Sequence, residues 1–451
     1  MSITAEPDLI AEEAGIEPAP AAPALAVPAS AEPPRRGVLR NRDFRLLWAG
    51  ETTSKFGSAI TGVALPLVAV TVLDAGPLGM GVLTALSWVP WLVFGLPAGA
   101  WVDRWPRRTV MITCNASALV LLVSVPIVYW LGLLSMGYLL FVALASGIGA
   151  VFFSPAYGAY LPSLVDGEDL GEANAKLHGS AQVAFMGGSG VGGVIAAVFG
   201  AVGGILVDAI TYLVAVVCLG SIRHREPRQV RSADAPRKTI RQDIADGIRF
   251  LVRDPYLRII ALCAGVENLL LSGALALLVV FLIKVVAIPA GFVGALLIAD
   301  SLGGLAGALI ANRVSRKLGT ARALIVLAIT TAPFGLLIPL TTDGFGMLFF
   351  AVGMGVPAAG MVACGIISGT FRMRYCPPQM QGRVSTSAMV IVYGSMPIGA
   401  LIGGLLGSTL GITTGLWIML GALAAAKWLR LIGPIKRSRD LPTEPAAAVP
   451  A

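Results

Sequence analysis

Apolar runs long enough to cross a hydrocarbon layer, about 20 residues each, recur through the middle of the chain with short polar breaks between them. They fall at 44–72, 78–103, 107–130, 136–162, 173–198, 201–222, 256–284, 290–312, 321–341, 344–371, 384–408 and 411–433. Twelve such runs predict twelve transmembrane helices, with both termini on one side. One stretch, 223–255, interrupts the pattern halfway along. Its first half, RHREPRQVRSADAPRK, is charged and contains proline, as a linker does. Its second half sets Ile240, Ile244, Ile248 and Leu251 at helical spacing, with Arg241, Asp243 and Arg249 between them. That spacing predicts an amphipathic helix on the cytoplasmic membrane surface. The expected organisation is a disordered cytoplasmic tail at 1–40, a six-helix half at 41–222, the linker at 223–255, a second six-helix half at 256–433 and a short tail at 434–451. The fold class is an all-α polytopic membrane protein.

Composition supports lipid as the solvent. The 451 residues are 56% hydrophobic and 13% charged, and the mean hydropathy is +0.82. Fifty-four glycines suit membrane helices, where small residues let backbones approach closely. The first 34 residues are rich in Ala, Pro and Glu and lack the basic start and apolar stretch of a signal peptide. The five cysteines show no CxxC spacing, so neither a disulfide framework nor a metal site is expected. With His178 and His224 the only histidines, a His-dependent active site is not expected.

Charge placement gives the orientation, because cytoplasmic loops collect Lys and Arg. Arg35, Arg36, Arg40, Arg42 and Arg45 precede the first span, and Arg104, Arg107 and Arg108 follow the second. Ten basic residues lie from Arg223 to Arg258, and further groups follow spans eight, ten and twelve. The alternate loops are short and nearly free of bases, Lys284 excepted. Both termini are therefore expected in the cytoplasm. The net charge of +8 is accounted for by topology, without a nucleic-acid partner.

Two matching places carry a similar segment. GAWVDRWPRR runs from Gly99 to Arg108 after span two, and GALIANRVSRK from Gly307 to Lys317 after span eight. Parallel six-helix halves with a shared tight basic loop resemble the major facilitator architecture. Gly99, Asp103, Arg104, Arg107 and Arg108 resemble that superfamily's loop motif between helices 2 and 3. SPAYGAYLPSLVDGEDLGEANAKLHGS (Ser154 to Ser180), PPQMQGRVSTSAM (Pro377 to Met389) and the first span resemble the bacterial enterobactin-exporter and macrolide-efflux branch. The resemblance covers about residues 41–433. It implies export of small amphipathic molecules by alternating access, with protons as the coupling ion, and a latch at Asp103 and Arg107. Two departures stand out. A GPxxGG sequence common in helix 5 of such exporters reads GSGVGG here, with Ser189 in the proline's place, and the fourth span lacks the arginine of many drug–proton antiporters.

Charged residues inside apolar spans are costly and mark candidate sites. Glu51 and Lys55 share a helix face four residues apart, either bordering an aqueous cavity or fixing the first helix. Glu267 and Asp300 each fall near the middle of a span, where burial disfavours the charged carboxylate and favours proton uptake. They are candidates for proton coupling or a substrate cavity, against a structural, hydrogen-bonded role. Asp208 reads as a structural anchor in a peripheral helix. The loop at Gly99–Arg108 is either a gate or an ordinary topology-setting loop. Gly188, Gly192 and Gly193 predict close helix packing. Trp88, Trp91, Phe152, Phe153, Tyr157 and Tyr393 are either a substrate wall or interfacial aromatics.

An enzyme would need a nucleophile, a base and oxyanion donors clustered at one face, and none is visible. No GxxxxGK[ST] loop is present, so no nucleotide is expected as energy source, and no cofactor is called for. The alternatives are an importer or lysolipid transporter of the same fold, or a membrane-embedded enzyme; a sensor would usually append a folded soluble domain. The expected partners are a small-molecule substrate, protons and membrane lipids.

Overall fold

The computed structural model describes residues 37–102, 104–224 and 240–443. The predicted N-terminal tail up to residue 36, Asp103, linker residues 225–239 and the last eight residues lie outside this set. Helices α1 (Arg42–Thr71), α2 (Pro77–Val102), α3 (Arg107–Trp130) and α4 (Met136–Leu164) follow the predicted spans closely. The next helical stretch, Leu170–Ser221, is broken at Gly200, whose φ of 75° and ψ of 164° only glycine adopts readily. The break divides it into α5 (170–199) and α6 (201–221), at the boundary read from the sequence. The second half comprises α7 (Pro255–Val280), α8 (Ala290–Leu318), α9 (Thr320–Thr331), α10 (Met347–Tyr375), α11 (Pro378–Thr409) and α12 (Ile412–Ala426). A π turn (Phe281–Val285) extends α7, and 3-10 turns extend α9 (Ala332–Leu340) and α12 (Lys427–Leu431). No strand occurs among the described residues.

Outward-facing positions are themselves apolar. Val120, Val183 and Phe199 are 68%, 69% and 73% exposed. Such a surface is stable only against lipid, where helices satisfy their own backbone groups.

The two halves repeat one another in their caps. Asn41 begins α1 by accepting from the amides of Asp43 and Phe44, and its Nδ2 donates to Leu164 O at the end of α4. Asp254 begins α7 by accepting from the amides of Tyr256 and Leu257, and its other oxygen accepts from Tyr375 Oη at the end of α10. An Asx cap satisfies orphan amides of the first turn. Here each cap also ties the first helix of its half to the fourth.

The core is undivided toward the face opposite the basic loops. Val63 to Val70, Leu122, Leu139, Ile205, Leu277, Phe281, Val293, Phe350 and Leu416 belong to one apolar cluster that draws on both halves. Toward the basic face it splits. Phe44, Met111, Tyr160 and Leu219 form a cluster confined to the N-terminal half, and Leu257, Leu324, Ile367 and Tyr375 one confined to the C-terminal half.

The helix read from the linker is present at Ile240–Arg253, with Gly247 and Leu251 buried and Ile248 exposed. It docks on α11 through Gly247, which lies against Arg383 O and Ser387 Oγ. A Cβ-free position admits a backbone there, so glycine, which an apolar count ignores, sets the contact face. The side chains of Ile240 and Ile244 lie outside the description. The chain after residue 433 is packed as far as Leu441. Ile435 and Leu441 are buried, and Asp440 accepts from the amide and hydroxyl of Thr320 at the start of α9. The segment is held because the Asp440 carboxylate and the Arg439 carbonyl take up the free amides at the start of α9.

Candidate functional site

Glycines let helix backbones meet closely both within each half and between the halves. Along α5, Gly188 and Gly192 face α1: a Cβ on Gly188 would strike Phe56 O, and one on Gly192 would lie 3.2 Å from the Ile60 Cα. Gly193 faces the other half, where its Cβ would be 2.7 Å from the Gly294 Cα of α8. The same spacing recurs in α11 as GALIGG, Gly399 to Gly404. Gly399 and Gly403 sit against the Leu269 and Gly273 carbonyls of α7, and a Cβ on Gly404 would lie 2.9 Å from the Gly81 Cα of α2. In each half, therefore, two glycines four apart seat the first helix and the next residue crosses to the opposite half. This second GxxxGG is legible in the sequence as a repeat of the helix 5 spacing. The glycine contacts across the seams run from mid-bundle to the face away from the basic loops.

The predicted aromatic wall resolves into separate groups. Tyr393 of α11 lies 5.4 Å from Trp88 and 4.8 Å from Trp91 of α2, bridging the halves. Phe152 stacks on Trp101, and Phe153 on Tyr157.

At the loop after α2, Arg107 Nη1 donates to Ala159 O of α4 at 2.7 Å. Arg108 donates to Leu219 O and Gly220 O, carbonyls at the end of α6, at 2.9 and 2.6 Å. These bonds stay within the N-terminal half. Arg104 is exposed, and Gly99 has open space around its missing Cβ. Lys284, the exception in the charge census, bonds Asp74 Oδ1 at 2.5 Å and so links the two halves on the far face. Its hydrogen bond and charge hold the Asp74 carboxyl below the usual carboxylate range.

Glu51 is buried and paired with Lys55 at 3.3 Å, and Lys55 is half exposed. Asp208 is buried and accepts from Thr211 Oγ1. Both groups close on Gly57 of α1, an anchoring contact between α1 and α6. Glu267 is not a lone acid. Its Oε2 accepts from Lys427 Nζ at 2.6 Å and its Oε1 lies 2.9 Å from Arg430 Nη2. Residues three apart on a 3-10 turn eclipse one another, so the extension of α12 delivers both bases to one carboxylate. Lys427 and Arg430 were missed as site residues, although two bases inside an apolar span are themselves a signal. Asp300 of α8 lines an apolar cavity between α7, α8, α9, α10 and α12, and forms no ion pair or hydrogen bond among the described residues. The described residues hold no cluster of three or more metal-ligating acids, histidines or cysteines.

Comparison with known proteins settles the family. The description "Transmembrane secretion effector" matches residues 36–450. The chain belongs to this transporter family. A curated relative, the multidrug efflux pump Tap of Mycolicibacterium fortuitum, is 25% identical over 393 residues, covering 82% of this chain and 88% of that protein. Macrolide efflux protein A of Streptococcus pyogenes is 29% identical over 127 residues, 28% of this chain and 31% of that one. Among solved structures, an inward-facing bacterial homologue of the iron transporter ferroportin matches at TM-score 0.70 and 16% identity, over 88% of this chain and 99% of that one. The nucleoside transporter NupG, as a D323A mutant, matches at TM-score 0.69 and 13% identity, over 87% and 99%. The fold is that of the major facilitator superfamily, and the protein is a multi-pass membrane transporter and not an enzyme.

Proposed function

We propose that this transporter is a proton-driven exporter of small amphipathic molecules in the plasma membrane, with both termini in the cytoplasm. The observation that carries the reading is the divided core: the halves share one cluster on the far face and keep separate clusters on the basic face. With the basic face cytoplasmic, the bundle is closed outward and parted inward, the state in which a cytoplasmic substrate would load. Alternating access then requires the glycine seams to open while the basic ends of the halves approach. Asp300 is the proposed proton carrier, because it has neither a basic partner nor a hydrogen bond among the described residues, whereas Glu267 is committed to Lys427 and Arg430 and Asp208 accepts from Thr211. Relatives named as multidrug and macrolide efflux proteins support the substrate class and direction.

The test is uptake of macrolides and lipophilic cations into inside-out vesicles under an imposed proton gradient. Accumulation abolished by a protonophore and by Asp300→Asn is expected. Gradient-driven uptake that survives Asp300→Asn removes Asp300 from the coupling, and uptake indifferent to the gradient overturns proton drive.

A further inference from the structure

The C-terminal half contains two cavities that meet at one waist. The apolar one is walled by residues such as Leu275, Met354 and Leu420, with Asp300 also on its lining. The other lies nearer the basic face and has different chemistry: Arg372, Arg430, Asn268 and Ser368 line it. Glu267 and Met361 line both.

The charges at the waist do not cancel. One carboxylate, Glu267, is shared by Lys427 and Arg430, and Arg372 forms no ion pair among the described residues. Arg430 engages Glu267 through Nη2 only, while its Nη1 is buried without a hydrogen-bond partner. A buried guanidinium nitrogen left unsatisfied is costly, and a planar fork of donors matches a carboxylate or phosphate. Beyond the waist, the apolar chamber follows α7 from Glu267 to Leu278, about 16 Å at the helical rise per residue. Met361, unbranched and adaptable, is a wall that can yield to a passing chain.

We propose that this column binds a single-chain anionic amphiphile, its carboxylate or phosphate head held by Arg372 and Arg430 and its apolar chain lying past Met361 in the apolar chamber. The site lies within one half and shares its apolar chamber with Asp300. Binding to the resting protein is the readout, so it can fail or succeed apart from the export reading.

The experiment is equilibrium binding of radiolabelled oleate to the purified full-length protein in a non-ionic detergent. Lysophosphatidate, oleyl alcohol, octanoate and inorganic phosphate serve as competitors. Saturable binding at one site is expected, with oleyl alcohol and phosphate competing at least tenfold more weakly than unlabelled oleate. The stronger of oleate and lysophosphatidate identifies the head group as carboxylate or phosphate. Arg372→Gln removes no fold contact described above and should weaken oleate at least tenfold. Arg430→Lys should weaken it less, and Ala358→Phe, which narrows the apolar chamber, should weaken oleate while sparing octanoate. Equal binding by wild type and Arg372→Gln, or oleyl alcohol competing as well as oleate, overturns the proposal. Phosphate competing as well as oleate overturns the amphiphile in favour of a small anion.

Discussion

In the N-terminal half the buried acid of the first helix, Glu51, pairs with a lysine on its own helix, and that lysine is half exposed. In the C-terminal half the corresponding helix carries Glu267, held by two bases from α12, and all three side chains are nearly buried. The scaffolds are otherwise alike: each first helix is capped by an Asx residue bonded to the fourth and is seated on a GxxxGG. A local pair within one helix ties no second helix and adds little to the packing of the half. A cross-helix cluster binds α7 to α12 and leaves buried charge behind when one member is removed. The halves thus share their packing and differ in how firmly charge locks them, which leaves the N-terminal half's acid freer to change partners.

The largest effect expected from breaking this contrast is at Glu267. Glu267→Gln should destabilise by about 3–5 kcal/mol, because two buried cations lose their counter-charge. Glu51→Gln should cost less than that, since the Glu51–Lys55 pair ties no second helix. Thermal unfolding of the two variants in detergent measures both, and equal losses would erase the distinction between the halves.

Next come the repeated glycines. Gly188→Val and Gly399→Val each drive a side chain into the backbone of the first helix of their half, at Phe56 and Leu269. Overpacking of this kind costs about 1–3 kcal/mol, and similar drops in melting temperature are expected if the GxxxGG motifs are true counterparts. Gly200→Ala should cost about 1 kcal/mol through its positive φ alone. Gly411 parallels that break between α11 and α12, with φ 92° and ψ 153°, so Gly411→Ala should cost a similar amount.

The smallest effect is at the far-face link. Asp74→Asn should raise labelling of a cysteine placed at the outer seam, with little change in stability. Because Lys284 lowers the Asp74 carboxyl, the link persists above the ordinary carboxylate range and is lost as pH falls through the lowered value. Wild-type labelling should therefore rise in acid toward that of the variant, and a pH-independent difference would remove the link from the gate.

The spans and their number were legible in the sequence, as was the division into halves, because they depend on local properties: run length, loop charge and residues that end helices. Gly200 illustrates this, since two apolar runs meeting at a glycine already mark the turn. Glu267 and Asp300 were also legible as charged residues where charge is expensive. Their unlike surroundings were not, because whether a base on α12 reaches α7 or α8 depends on helix rotation and crossing angle, which no run of residues specifies. The same holds for the linker helix, where Gly247 and not Ile248 meets α11. The sequence by itself determined what had to be buried in lipid and which loops carry the positive charge. Only the tertiary structure decided which groups share a waist, since that is set by how twelve surfaces fit at once.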